Sequence, residues 1–203
     1  MRFIESILFR DGSYHNLSLH QERIDRTFSR YAPHTDVHHL MRILPDLKMS
    51  GVYKVRMIYE ASAEDAKFDL EFAEYFPRKI KTLEIVKSKP IDYALKYEDR
   101  GEINNLLETS RADDIIISVN DGLTDGSYFN LAFWDGSAWF TPKNPLLKGV
   151  RRTQLIQEGK LKEREILVSD LRLFEKVSLI NAMLDLGELE IPSSAILLPK
   201  NDG

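Results

Sequence analysis

Leu123-Thr124-Asp125-Gly126-Ser127-Tyr128-Phe129-Asn130 is the stretch on which the reading of this chain turns. Just before it, Ile115–Val119 reads as a buried strand that ends in the turn Asn120-Asp121-Gly122. Just after it, residues 129–134 and 138–141 read as a hairpin around Asp135-Gly136. The acidic Asp125 therefore lies between strands. Such a residue is ordinarily a turn former. Its other use is to hold a cofactor's ring nitrogen in the protonated state.

Three further segments lie around this centre. Downstream, Leu147-Lys148-Gly149-Val150-Arg151-Arg152-Thr153 leads into a helical pattern. Glycine before a helix start lets backbone N–H groups approach an anion closely, and the helix end adds partial positive charge; the plain alternative is a cap. Upstream is Ala94-Leu95-Lys96-Tyr97-Glu98-Asp99-Arg100. Lys96 there is either a solvated surface charge or an imine-forming amine whose pKa is lowered by its surroundings. Near the start, Arg23 follows His20 by three residues and precedes Ile24, beside the apolar stripe Ile24, Phe28 and Tyr31. Arg23 is either a packed stem with its head in solvent or a bidentate anion clamp.

The remaining pattern reads as α+β. A strand over 2–10 is followed by the turn Asp11-Gly12-Ser13 and by a helix with Ser18 as N-cap. A short helix is expected within 36–48, strands over 52–60 and 67–75, and a small domain over 1–88. Lys87-Ser88-Lys89-Pro90 is the expected linker, since proline disfavours helix for the residue before it. A larger, β-rich domain is expected over 89–203. It has a helix marked by Ile103, Leu106 and Leu107, another from Arg151, and short strands with a helix in 163–198. Strands and helices do not alternate regularly, which argues against a doubly wound parallel fold.

Bulk properties set outer bounds. The 203 residues carry a formal charge of −4, 43% hydrophobic and 30% charged residues, the balance of a soluble globular protein. The charge argues against general nucleic-acid binding. Apolar runs are too short to span a bilayer, and Phe3–Ile7 has no secretory-signal character. With no cysteine there is neither a disulfide nor a thiolate metal site, so a cytoplasmic location without a metal is expected.

Taken in order, these segments resemble the class IV aminotransferases, the fold-type IV enzymes of pyridoxal 5′-phosphate (PLP). Phe3-Ile4-Glu5-Ser6-Ile7 resembles the family's Phe-Glu-Thr-Ile strand, and Leu17-x-x-His20-x-x-Arg23 its Leu-x-x-His-x-x-Arg helix. Thr124-Asp125-Gly126-Ser127-x-x-Asn130 is similar to Thr-Glu-Gly-Ser-x-x-Asn. Thr141-Pro142 through Leu147-x-Gly149-Val150-x-Arg152 is similar to Thr-Pro…Leu-x-Gly-Ile-Thr-Arg. Ile180-Asn181-Ala182-Met183 falls at a phosphate-side loop, with an Asn-Ala pair like that of the aminodeoxychorismate lyase branch.

The resemblance implies the two-domain D-amino-acid-aminotransferase-like fold and a homodimer acting on a small molecule. It implies that Lys96 carries PLP as a Schiff base and serves as the base at the substrate Cα. By the same likeness Asp125 meets the pyridine nitrogen, while Arg23, the Val150 and Arg151 amides, Asn181 and Ala182 anchor the phosphate. Three departures stand out: aspartate for glutamate at 125, Arg151 for threonine, and a start at what is an internal strand in the family. Ala61-Ser62-Ala63-Glu64-Asp65 also lacks the basic residues some members use for a substrate carboxylate. The expected reaction is lyase-like loss of pyruvate from 4-amino-4-deoxychorismate. The alternatives are a branched-chain or D-amino-acid aminotransferase and a non-catalytic dimer of the same fold.

Overall fold

The computed structural model describes residues 1–35, 39–62 and 67–199. Residues 36–38 of the expected second helix and 63–65 of the Ala61–Asp65 loop fall outside the described residues. Within them the chain forms two compact units. One comprises residues 1–76 and 93–99, the other 77–92 and 100–203.

The first unit is a four-stranded antiparallel sheet with a helix on it. Its elements are β1 (Arg2–Arg10), β2 (Ser13–Tyr14), α1 (Leu17–Tyr31), α2 (Leu40–Ile43), β3 (Val52–Glu60) and β4 (Phe68–Glu74), with sheet order β2-β1-β3-β4. Side chains alternate along a strand, so Phe3, Glu5, Ile7 and Phe9 share one face of β1, all fully buried. On α1 the buried residues His20, Arg23, Ile24, Thr27 and Phe28 fall three and four apart and form a single stripe. Strand face and helix stripe meet in one core that includes Val55, Met57, Tyr59 and Leu95. The helix begins one residue before the expected cap: Asn16 is the N-cap, in the left-handed region at φ 57°, and Ser18 lies inside the first turn. Asparagine tolerates that backbone better than most residues. The second helix is a single turn at 40–43.

The second unit carries the large sheet. β5 (Leu83–Ser88) pairs parallel with β6 (Asp114–Val119), after α3 (Gly101–Glu108), and β6 turns back into β7 (Gly122–Gly126). Asn120 and Asp121 make that turn at φ 50° and 63°, the pair of positive angles a two-residue hairpin demands. β8 (Asn130–Trp134) and β9 (Trp139–Pro142) form the expected hairpin, and α4 (Val150–Gln157) precedes β10 (Lys162–Arg164). A 3-10 turn at Val168–Leu173 stands where an α-helix is expected. β11 (Lys176–Ile180), β12 (Glu190–Pro192) and β13 (Ile196–Leu197) follow. Strand order is β10-β9-β8-β7-β6-β5-β13, with β11 paired to β8 and β12. Parallel and antiparallel pairs mix, so this is α+β and not a doubly wound sheet.

The chain divides differently from an 88/89 boundary. Lys87 and Ser88 are not linker but the end of β5, in register with Ser118 and Val119. Residues 93–99 return to the first unit instead. The Ile4 N–H donates to the Lys96 carbonyl at 3.0 Å, the Glu98 N–H donates to the Arg2 carbonyl at 3.0 Å, and Tyr97 bridges to Phe3.

Candidate functional site

The first unit holds a buried cluster that its periodicities create. Glu5 points inward because it is in phase with Phe3 and Ile7. An unpaired charge there would cost several kcal/mol or more, so it demands a partner. Arg23 supplies it: Nε donates to Glu5 Oε1 at 2.7 Å and Nη2 donates to Oε2. His20 Nδ1 lies 2.6 Å from the same Oε2. Burial alone would raise the Glu5 carboxyl. The Arg23 charge and the hydrogen bonds from His20 and Arg23 outweigh it and hold the group well below the usual carboxylate range. Burial pushes the His20 imidazole down, against the opposing pull of Glu5. A neutral ring with its proton on Nδ1 leaves Nε2 a bare acceptor, and that atom is buried without a hydrogen-bond partner.

Arg23 is thus neither a solvent-reaching stem nor a free fork. It is 2% exposed, and its Nε–Nη2 edge is committed to Glu5. Nη1 makes no hydrogen bond among the described residues and is the edge left for an anion. Lys96 belongs to the same unit. Its charge bears on His20, and its backbone sits at φ 58°. A left-handed non-glycine residue costs roughly 1–2 kcal/mol, and such strain concentrates at functional positions.

The second unit builds the other group of candidates around the Thr124–Asn130 stretch. Thr124 Oγ1 donates to the Ile117 carbonyl at 2.9 Å, and Ser127 Oγ donates to Asp114 Oδ2 at 2.9 Å, so these two residues fasten the turn. Gly126 is required sterically: a Cβ there would lie 1.9 Å from the Phe129 ring. Asp125 is left as the buried carboxylate. Asn130 Nδ2 donates to its Oδ1 at 2.6 Å and the Leu147 N–H donates to Oδ2 at 2.9 Å. Burial dominates over these bonds and the more distant Arg152 charge, and pushes Asp125 up to about 6. No ion pair to Asp125 occurs among the described residues.

Asn130 also donates to the Leu147 carbonyl at 2.8 Å, tying the β7–β8 turn to the segment before α4. Gly149 makes room for it, since a Cβ on Gly149 would lie 2.2 Å from Asn130 Oδ1. Gly149 is the N-cap of α4, without a side-chain cap. The Val150 and Arg151 amides accordingly have no hydrogen-bond acceptor among the described residues, as the first turn of a helix leaves them.

The Arg151 guanidinium is committed elsewhere. Nη1 donates to Gln154 Oε1 at 2.7 Å and Nη2 pairs with Asp185. That ion pair joins the start of α4 to the turn that follows Asn181 and Ala182. Asn181 Oδ1 accepts from the Met183 and Leu184 amides at 2.8 and 3.0 Å, and Nδ2 makes a long 3.4 Å contact to the Tyr128 carbonyl.

The candidate residues therefore fall into two groups. Lys96 and Arg23 share the first unit. Asp125, Val150, Arg151, Asn181 and Ala182 are brought together within the second, through Asn130, Gly149 and Asp185. Sequence reasoning missed the roles of Glu5 and Asn130. For Glu5 a signal existed: its phase along β1 made it an inward carboxylate that required a buried cation.

A PLP molecule asks for an amine, a carboxylate for its ring nitrogen, and an anion cradle. The first unit offers an amine on Lys96 and the Nη1 edge of Arg23, and the second offers the buried Asp125 carboxylate and the Val150 and Arg151 amides, so residue types suited to each part of that set are present.

Comparison with known proteins gives the same direction. Residues 2–188 match the family described as amino-transferase class IV. An uncharacterised protein of Haemophilus influenzae is 34% identical over 184 residues, covering 88% of this chain and 96% of its own. The crystal structure of a candidate 4-amino-4-deoxychorismate lyase from Haemophilus somnus is 32% identical. It covers 91% of this chain and 97% of its own, with a TM-score of 0.82. The branched-chain amino acid aminotransferase of Escherichia coli shares the fold at 15% identity and a TM-score of 0.71, over 96% of this chain and 76% of that one.

Proposed function

The chain belongs to the class IV aminotransferase family, whose members are PLP-dependent enzymes, and on that premise we propose that it binds PLP through Lys96 and acts at the Cα of an amino-substituted substrate. The observation that carries the reading is Asp125, a buried carboxylate without a cation, whose proton affinity is raised to about 6. A pyridinium N–H is the partner such a group lacks. PLP, when bound, supplies the electron sink for the bond broken at Cα.

This chain's residues do the rest. The Lys96 Nζ takes the Cα proton and returns it. Asp125 keeps a proton on the ring nitrogen through a carboxylate fixed by Asn130 and the Leu147 N–H. Nη1 of Arg23, the amides of Val150 and Arg151, and Asn181 with Ala182 hold the phosphate. Arg151 contributes its backbone, since its guanidinium is occupied by Asp185 and Gln154.

The reaction we favour is loss of pyruvate from 4-amino-4-deoxychorismate. The similarity to the Haemophilus somnus protein over 91% of the chain supports it, as does the Asn181-Ala182 pair. The family match itself favours the second reading, an aminotransferase. We place the enzyme in the cytoplasm as a homodimer, which light scattering checks. Purified protein with PLP, supplied with aminodeoxychorismate, should release pyruvate and 4-aminobenzoate. Glutamate formed instead from an amino acid and 2-oxoglutarate overturns the lyase reading and supports the transaminase.

A further inference from the structure

The Glu5–His20–Arg23 cluster has a charge problem that the phosphate reading exposes. Glu5 and Arg23 neutralise each other, His20 is neutral, and all three are buried. A phosphate monoester near neutral pH brings close to two negative charges. Against these the cluster offers one edge of an arginine whose charge is already matched.

The groups around His20 differ in what they can do. Tyr59, from β3, gives its hydroxyl hydrogen to Thr27 Oγ1 at 3.2 Å, and burial raises its pKa well above the ordinary phenol value, so it is a poor proton source. Thr27 Oγ1 donates in turn to the Arg23 carbonyl at 2.9 Å. Tyr93 and Lys96, from the 93–99 segment, add a phenol beside Arg23 and a positive charge that bears on His20. Glu5, from β1, already accepts three hydrogen bonds. Besides the Arg23 Nη1 edge, His20 Nε2 has unused capacity: it is buried and has no hydrogen-bond partner among the described residues. Leaving such an atom unsatisfied costs about 1–3 kcal/mol.

We infer that His20 belongs to the anion site, and that a phosphate monoester binding at Arg23 draws one proton onto His20 Nε2. The imidazolium then supplies the positive charge that Glu5 has cancelled on Arg23. Its Nδ1–H stays on Glu5, and Nε2 changes from an orphan acceptor to a donor. This rests on the reading that Arg23 serves the cofactor phosphate.

Pyridoxamine 5′-phosphate tests it, because it carries the phosphate but cannot form an imine with Lys96. Titration calorimetry at pH 8, in two buffers of different ionisation enthalpy, counts protons taken up on binding. Wild type should take up roughly one more proton per ligand than His20→Asn, whose side-chain amide can still donate to Glu5. Its affinity should also weaken up to about tenfold per pH unit relative to the variant. Unphosphorylated pyridoxamine should show no difference between the two proteins.

Binding with equal proton counts overturns the inference and leaves the cofactor reading intact. No binding of pyridoxamine phosphate by wild type overturns the cofactor reading, and the inference with it. If His20→Asn does not fold, the ring 15N signals of wild type decide. Nε2 should be unprotonated in the free protein and protonated in the complex; an unchanged Nε2 signal refutes the proposal.

Discussion

Replacing Gly149 by alanine isolates the contact that ties Asp125 to the start of α4. Gly149 has φ −66°, which alanine adopts without strain, so the cost comes from space alone. The added methyl carbon would lie 2.2 Å from Asn130 Oδ1 and 3.3 Å from its Cγ. Asn130 cannot yield cheaply, because its Nδ2 is held at 2.6 Å by Asp125 and at 2.8 Å by the Leu147 carbonyl. Overpacking costs about 1–3 kcal/mol, and a strained or lost hydrogen bond to a buried charged group about 1.5–3 kcal/mol. The sum is about 2.5–6 kcal/mol, a large share of the 5–15 kcal/mol typical of a folded protein. Urea unfolding should show that loss, with a Tm lower by on the order of 10 °C. In an Asn130→Ala background the same change should cost less than about 1 kcal/mol, because the clashing atom is gone. A Gly149→Ala protein within about 0.5 kcal/mol of wild type, or an equal cost in both backgrounds, refutes the reasoning.

Other expectations follow from the same geometry. The folded-state pKa of Asp125 is raised, so its contribution favours folding at low pH and is lost as pH rises from the unfolded value of 3.8 to about 6. The stability of wild type relative to Asp125→Asn should therefore fall by about 3 kcal/mol between pH 4 and pH 7; a constant difference across paired urea titrations would contradict this. Glu5 has the opposite sign. Its depressed pKa stabilises the fold above about pH 4.5, and that contribution drains away as pH falls further. Arg23→Met strands the buried Glu5 and should cost about 3–5 kcal/mol in urea unfolding, and Glu5→Leu with Arg23→Met clearly less. Arg151→Ala should change pyridoxamine phosphate affinity less than about threefold, since the guanidinium serves a partly exposed ion pair usually worth 1 kcal/mol or less; a larger loss by calorimetry would mean that the side chain reaches the ligand. Lys96→Gly should be more stable than Lys96→Ala by about 1 kcal/mol in thermal unfolding, because only glycine relieves the positive φ.

What local pattern dictates was readable in the chain. The alternation of Phe3, Ile7 and Phe9 announces β1, the spacing of Ile24 and Phe28 announces α1, and Asp121-Gly122 and Asp135-Gly136 announce the two hairpins. Gly149 marks the start of α4. What failed was pairing over distance. Lys87 and Ser88 look polar and linker-like, yet they complete a strand whose partner lies some thirty residues on. Lys96 sits beyond Pro90 in sequence, but its carbonyl accepts from β1. Neither pairing leaves a local trace, because a backbone hydrogen bond does not depend on which side chain sits above it. The site divides in the same way. Lys96, Asp125 and the start of α4 are named as site residues through the family resemblance. The commitment of Arg23 to Glu5 and of Arg151 to Asp185 depends on packing that spacing cannot report.

The central claim is that Lys96 carries the cofactor. Protein incubated with PLP should gain an absorption band in the near-visible, where unmodified protein is transparent. Borohydride should bleach that band, and peptide mass analysis should then place the pyridoxyl group on Lys96. The account predicts that single site and its loss in Lys96→Ala. No band, or a label on another lysine, contradicts it.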